Sequence, residues 1–363
     1  MPVRPTASAT SPDGYDVVIV GAGPIGLECA IQAQRAGLTY AVLDKGPVVA
    51  AIAKYPTYMT FFTTSERLEI GGHPLVTATD KPTRKEALDY YRKVVANAAL
   101  NVRTCSEVTA IRRLSSSRGF ALTVAATAPS GLSATVRASV VMIATGYFDN
   151  PNMLLVPGED GGMVSHHYTE GHQYFGRPVV VVGGGSSAAD AALDLYRAGA
   201  LVTMVHRGTD FKKSLKYWIR PNLENRIKEG SIAALFESVV TEVQDGAVKV
   251  APAAGRHGSP ATPWGTSRTV LADHVFALTG YYAPTDLLES VGAAFDPVTL
   301  AAVLDQETRE STVPGLYVVG SAGCGRRTSD VFIENGLVHA SQAMTSVVQR
   351  VATAQRAGRL TPR

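Results

Sequence analysis

One device is built twice into this chain. "VVIVGAGPIG" at 17–26 and "VVVVGGGSSAAD" at 179–190 each run an apolar strand into a glycine turn, then into small residues that open a helix. In the first copy Asp16 to Val20 form the strand, and Gly21, Gly23 and Gly26 supply GxGxxG. In the second, Val179 to Val182 lead into Gly183 and Gly185, with Ala188 at the third position. Glycine permits the tight turn and lets backbone approach a pyrophosphate, while the third small residue lets helix and strand pack closely. Phosphates then sit at the positive end of the helix.

A lone glycine motif is weak, but here the register extends along the whole unit. Gly37 in "QRAGL" follows Gly21 by sixteen residues, and Gly199 in "YRAGA" follows Gly183 by sixteen. Both second strands finish at the same offset of 23 residues, at Asp44 in "YAVLD" and at His206 in "VTMVH". Two βαβ units 162 residues apart predict an α/β protein with two Rossmann-like dinucleotide-binding domains. Their tips differ. A carboxylate at Asp44 accepts from a free ribose, as in FAD or NAD, and repels a 2′-phosphate. His206 and Arg207 suit a 2′-phosphate and hence NADP(H), with Lys212, Lys213 and Lys216 as further positive charge.

At 363 residues the chain has room for two cores, and 34 Lys plus Arg against 31 Asp plus Glu leave a net charge of +3, too balanced for a nucleic-acid binder. The three cysteines, Cys29, Cys105 and Cys324, form neither a CxxC nor a metal spacing, which points to a reducing, cytoplasmic setting. No apolar run approaches the roughly 20 residues that cross a bilayer, so no membrane partner is expected. Residues 1–13 read as a flexible N-terminal tail, not a signal peptide.

Between the two units, Thr83 to Ala98 has helical spacing after Pro82, and "EVTAIRRL", "GFALTVAA" and "ASVVMIAT" predict short antiparallel strands. Two strands end in Thr-Gly, at Thr145–Gly146 and Thr279–Gly280, on either side of the second unit. They mark the crossovers of a nested architecture: residues 14–157 and 280–363 form one discontinuous domain, and 158–279 form the inserted one. Val156 to Phe175 reads as a Gly- and His-rich linker, with no spacing that supports a metal at His166, His167 or His172. "GLYVVG" from Gly315 predicts another buried strand. A long helix is predicted over Val331 to Val351, with Ser329 or Asp330 as N-cap.

With these motifs in place, the chain resembles the thioredoxin-reductase-like flavoproteins, which carry FAD in the interrupted domain and NADPH in the inserted one. "YPTYMTFFTTSERLEIGG" (55–72), "KPTRKEALDYYR" (81–92), "KYWIRPNLENRIKEGSI" (216–232) and "VFIENG" (331–336) closely resemble the YpdA-type family, the bacillithiol disulfide reductases. The resemblance implies an FAD-dependent enzyme that takes hydride from NADPH and reduces a small disulfide, working as a homo-oligomer. A small redox protein or a quinone-like molecule is the competing acceptor, which would make the chain a ferredoxin, flavodoxin or quinone reductase. The candidate flavin-side contacts are Gly21, Gly23, Pro24, Gly26, Asp44, Lys45, Val108, Thr145, Gly146 and Gly320. Those for NADPH are Gly183, Gly185, Ser186, Ser187, Ala188, His206, Arg207 and Lys212. No catalytic residue is assigned.

The sequence departs from these families at three places. It has no CxxC, it carries Ile25 where many YpdA-type chains have cysteine in GGGPCG, and it carries Ser321 where related flavoproteins place aspartate. Cys324, in "GSAGCGRRTSD", lies beside Arg326 and Arg327; it reads first as a structural loop cysteine, and second as a thiol whose pKa the adjacent cations would lower to make it reactive. Tyr58, Phe61 and Phe62 are candidates for an aromatic wall beside the flavin. "GMVSHHY" satisfies GxxxH, but the wider monooxygenase pattern fails at Asp160 and Glu170.

Overall fold

The computed structural model describes residues 14–114, 119–253 and 267–359, so the expected tail at 1–13 lies outside the described residues. The chain divides into two compact units. One holds the described residues through Ala53, then Met59–Asn150, then those from Tyr281 onward. The other holds Lys54–Tyr58 and Pro151–Gly280.

The first unit is built on a seven-stranded sheet. Its strands lie in the order Val102–Arg103, Tyr40–Leu43, Tyr15–Val20, Ala134–Ile143, Phe120–Ala126, Ser106–Arg113, and Leu316–Val318 pairs with Ala134–Ile143. The parallel strands are nearly uninterrupted apolar runs because both of their faces are covered, and Val17, Val18 and Ile19 are wholly buried. Their register brings Leu43 and Ile143 to either side of Val20, and Val318 beside Ile143. Four carboxyl ends therefore finish along one edge, where α/β proteins hold ligands. Phe120–Ala126 runs antiparallel to both Ser106–Arg113 and Ala134–Ile143, forming the expected small insertion.

The three longest helices of this unit pack around the sheet. Pro24–Arg35 begins with proline, whose missing N–H costs nothing at a helix start. Arg84–Asn97 is closed by a capping box between Thr83 and Glu86. Ile333–Arg359 packs along Pro24–Arg35.

The second unit carries a five-stranded parallel sheet in the order Ala233–Leu235, Leu201–Val205, Pro178–Val182, His274–Ala277, Val164–Ser165. A separate antiparallel sheet is made by Ser238–Gln244, Ala247–Pro252 and Arg268–Leu271. The Gly- and His-rich stretch expected to be a linker is folded. Val164–Ser165 adds an edge strand to His274–Ala277, and Glu159 is buried with its carboxylate accepting from the Leu154 and Leu155 N–H groups at 2.7 Å each. Two residues are too short a run for any period to show; pairing with Val275 and Phe276 makes them a strand.

Candidate functional site

The first glycine turn divides by what demands each glycine. Gly21 has φ +112°, and a Cβ there would lie 2.5 Å from the Ala144 carbonyl oxygen. A Cβ on Gly26 would lie 2.0 Å from the Gly21 carbonyl oxygen, so helix and strand meet only without one. Gly23 is different: its φ is −73° and nothing stands within 4 Å of where its Cβ would be. Neither backbone nor neighbours require glycine there. The open space lies directly before Pro24, at the start of the Pro24–Arg35 helix, whose first N–H groups have no partner within the helix and are the kind of donors that take an anion.

Asp44 binds this turn to the neighbouring strand. Its Oδ2 accepts from the Ala22 N–H at 2.6 Å and its Oδ1 from the Gly46 N–H at 2.7 Å. Each oxygen keeps a second lone pair for a ribose hydroxyl. Burial raises the Asp44 pKa, and these two N–H groups oppose the rise. Lys45 forms an ion pair with Asp149 at 3.1 Å.

Thr145 and Gly146 follow the strand end beside Gly21, where the Ala144 N–H donates to the Val20 carbonyl at 2.8 Å. Gly320, at φ +62°, stands 3.1 Å from Ile25 by its Cβ position, and Gly336 stands 3.0 Å from Ile25 in the same way. Ile25 thus fills the space between the Gly320 turn and the first turn of the last helix. The Val108 side chain lies in the core, so it offers a ligand only its backbone.

The second turn repeats the pattern. Gly183 has φ +147° with the Leu278 carbonyl oxygen 2.4 Å from its Cβ position, and Ala188 is wholly buried against the turn. At Gly185 the nearest atom to that position is Lys212 Cδ, at 3.8 Å. The second glycine is again free of steric demand, and here a cation side chain borders the space. The Lys212 N–H donates to the Gly184 carbonyl at 3.0 Å, and the Lys216 N–H donates to Ser186 Oγ at 3.4 Å. Ser187, Arg207 and Lys212 are exposed, and among the described residues no carboxylate pairs with Arg207 or Lys212.

The His206 ring also packs into the glycine turn. Its ring sits between two glycines: a Cβ on Gly184 would meet it at 2.4 Å, and one on Gly208 at 2.8 Å. The ring lies parallel to Phe211 with centroids 6.5 Å apart. Burial lowers its pKa, and Lys212 and Arg207 push it the same way. A neutral ring props the glycine turn, leaving the positive charge to Arg207 and the lysines.

Of the two readings of Cys324, its surroundings favour the structural one. Cys324 is buried, and burial pushes its pKa up to about 11, outweighing the lowering by Arg327. Cys29 is wholly buried and its pKa is raised as well. The aromatic run also divides. Tyr58 belongs to the second unit, while Phe61 and Phe62 belong to the first, Phe61 buried and Phe62 edge-on to Phe332 with centroids 5.6 Å apart. An aromatic group not singled out from the sequence follows Gly146: Tyr281 lies 4.7 Å from Phe148 and 6.2 Å from Tyr147 between centroids. Among the described residues no cluster of His, Cys, Asp and Glu could hold a metal, and no helix is long and apolar enough to cross a membrane.

Residues 18–320 match the family described as pyridine nucleotide-disulphide oxidoreductase. The chain belongs to this family. It is an oxidoreductase, and its relatives narrow the group. The bacilliredoxin reductase Bdr of Bacillus subtilis is 36% identical over 92% of this chain and 97% of its own. The bacillithiol disulfide reductase Bdr (YpdA) from Bacillus cereus superposes with a TM-score of 0.85 at 35% identity, covering 93% of this chain and 99% of that one. The chain is thus of the Bdr (YpdA) type. A thioredoxin reductase from T. acidophilum shares the fold, with a TM-score of 0.71 at 23% identity over 94% of this chain and 99% of that one. The fold is therefore that of the thioredoxin-reductase-like flavoproteins, with two Rossmann-like sheets.

Proposed function

We propose that the chain is an FAD-dependent oxidoreductase that takes hydride from NADPH and reduces a low-molecular-weight disulfide of the bacillithiol type. One observation carries this reading: two glycine turns whose second glycines, Gly23 and Gly185, border open space, one beside an acidic strand tip and the other beside a cationic one. Gly21, Gly23 and the N–H groups opening the Pro24–Arg35 helix would receive the FAD pyrophosphate, and Asp44 its adenosine ribose. Gly183, Gly185 and Ser186 would receive the NADPH pyrophosphate. Arg207 and Lys212 would hold its 2′-phosphate, through fixed donors that a free ribose cannot use fully. When bound, FAD supplies the two-electron centre between NADPH and the disulfide. Ile25, Gly320 and Gly336 keep the start of the last helix close to the first glycine turn. That helix end stabilises negative charge placed before it. Three free cysteines suit a reducing cytoplasm.

The test is kinetic and spectral. Purified protein should be yellow, should prefer NADPH to NADH, and should lose about tenfold or more of that preference in Arg207→Ala or Lys212→Ala, the loss of one charge-assisted bond. NADPH-reduced enzyme mixed with bacillithiol disulfide should reoxidise faster than its anaerobic control. Colourless protein or a preference for NADH would remove the cofactor reading.

The buried thiols favour a second acceptor class. With Cys29 and Cys324 enclosed and no CxxC, no protein dithiol relays electrons, as is also true of a reductase of ferredoxin, flavodoxin or quinone. Reoxidation by ferredoxin and not by the disulfide would select it.

A further inference from the structure

Between the strand Leu201–Val205 and the helix Arg220–Lys228, the second unit carries a segment anchored at every fourth residue. Phe211, Leu215 and Ile219 are buried in its core. The same segment is held on the glycine turn by the Lys212 and Lys216 backbone bonds to Gly184 and Ser186. Of the residues between the anchors, all but the half-buried Lys216 are exposed. Tyr217 is 82% exposed and Trp218 is 53% exposed, yet they are ordered against each other edge to face with centroids 4.9 Å apart. The Lys216 ammonium lies 5.4 Å from the centre of the Trp218 ring. Adjacent exposed aromatics on an anchored loop leave apolar surface in solvent, which is costly unless a ligand covers it.

We propose that Tyr217 and Trp218 form a stacking platform for a heteroaromatic ring of NADP(H), on the loop that presents Lys212 and Lys213 to its phosphates. This deepens the NADPH reading of the second glycine turn and rests on it. The choice of occupant follows from charge and shape together. Lys212 borders the open space at Gly185, so the phosphates and the platform belong to one loop. A dinucleotide combines a polyanion with flat rings that stack on indole and phenol faces. A small aliphatic disulfide supplies no such ring.

The chain has two tryptophans, Trp218 and Trp264. In the Trp264→Phe holoenzyme Trp218 is the sole indole emitter, and saturating NADP+ should reduce its quenching by acrylamide at least about twofold, as stacking shields an exposed ring. Tyr217→Ala and Trp218→Ala should each bind NADP+ about tenfold more weakly, the loss of one ring stack, with flavin content and melting temperature unchanged. NADP+ binding is followed independently by its perturbation of the flavin's visible spectrum. If that perturbation occurs while acrylamide access to Trp218 is unchanged, or while both alanine variants bind as the parent does, the platform is wrong and the NADPH site stands. If NADP+ perturbs no form of the enzyme, both readings are overturned.

Discussion

A methyl group added at Gly26 would lie 2.0 Å from a backbone oxygen, whereas one added at Gly23 would meet nothing within 4 Å. Gly26→Ala should therefore destabilise the protein by about 3 kcal/mol, the upper end of overpacking costs. Gly23→Ala should leave stability within about 1 kcal/mol of the parent or raise it, yet purify with less flavin. Urea denaturation and the ratio of flavin to protein absorbance separate the two effects; full flavin content in Gly23→Ala would deny that the space is a phosphate cradle. Cys324 gives a residue-scale pH prediction. Its pKa is raised from the ordinary 9.0 to about 11, so the fold favours the neutral thiol. That contribution to stability is whole below 9.0 and is lost as pH rises through about 11. Alkylation of native protein by iodoacetamide should be slow at neutral pH and accelerate up to about pH 11, read by mass spectrometry. A neutral-pH rate equal to that of unfolded chain would contradict the burial.

Helix ends show how far single elements are fixed locally. Thr83 Oγ1 accepts from the Glu86 N–H, and the Glu86 carboxylate accepts from the Thr83 N–H at 2.7 Å. Thr83→Ala should cost about 1 kcal/mol in chemical denaturation, the usual worth of such a cap. The Thr83 N–H, and the Thr83 hydroxyl that donates to the same carboxylate, hold the Glu86 carboxyl below its ordinary value, so the carboxylate half of the box is intact above that value and opens as pH falls through the lowered one. The last helix was expected over 331–351 with Ser329 or Asp330 as cap; it runs Ile333–Arg359. Asn335 closes its start instead, accepting from the Phe332 N–H at 2.7 Å and donating to the Asp330 carbonyl at 2.8 Å. This is half a capping box with the side chain at the third helical position, and phenylalanine at the N-cap hides it from a search for polar caps.

At the scale of the molecule, each compact unit carries its own set of parallel strands and its own glycine turn. A ligand for the second turn alone should therefore stabilise that unit. At about 100 times its Kd, 2′,5′-ADP should contribute about 2.7 kcal/mol, seen as slower amide hydrogen exchange within Pro151–Gly280. Protection confined to the first unit would misassign the two nucleotide sites.

The repeated strand, turn and helix, the second strands ending just before Asp44 and His206, and the antiparallel insertion were legible in the sequence, because each rests on contacts a few residues apart or on an unbroken apolar run. The strand at Val164–Ser165 was not, since its partners lie at Val275 and Phe276. Cys324 read as a structural cysteine in the sequence, but not by how much burial wins: two adjacent arginines are visible in the chain, and the desolvation that overrides them comes from residues packed in three dimensions. Nor could spacing reveal that His206 lies clamped between Gly184 and Gly208, or that Gly23 and Gly185 alone among the motif glycines border open space. Local covalent order selects the elements; burial and charge at a site are sums over neighbours that only the folded chain assembles.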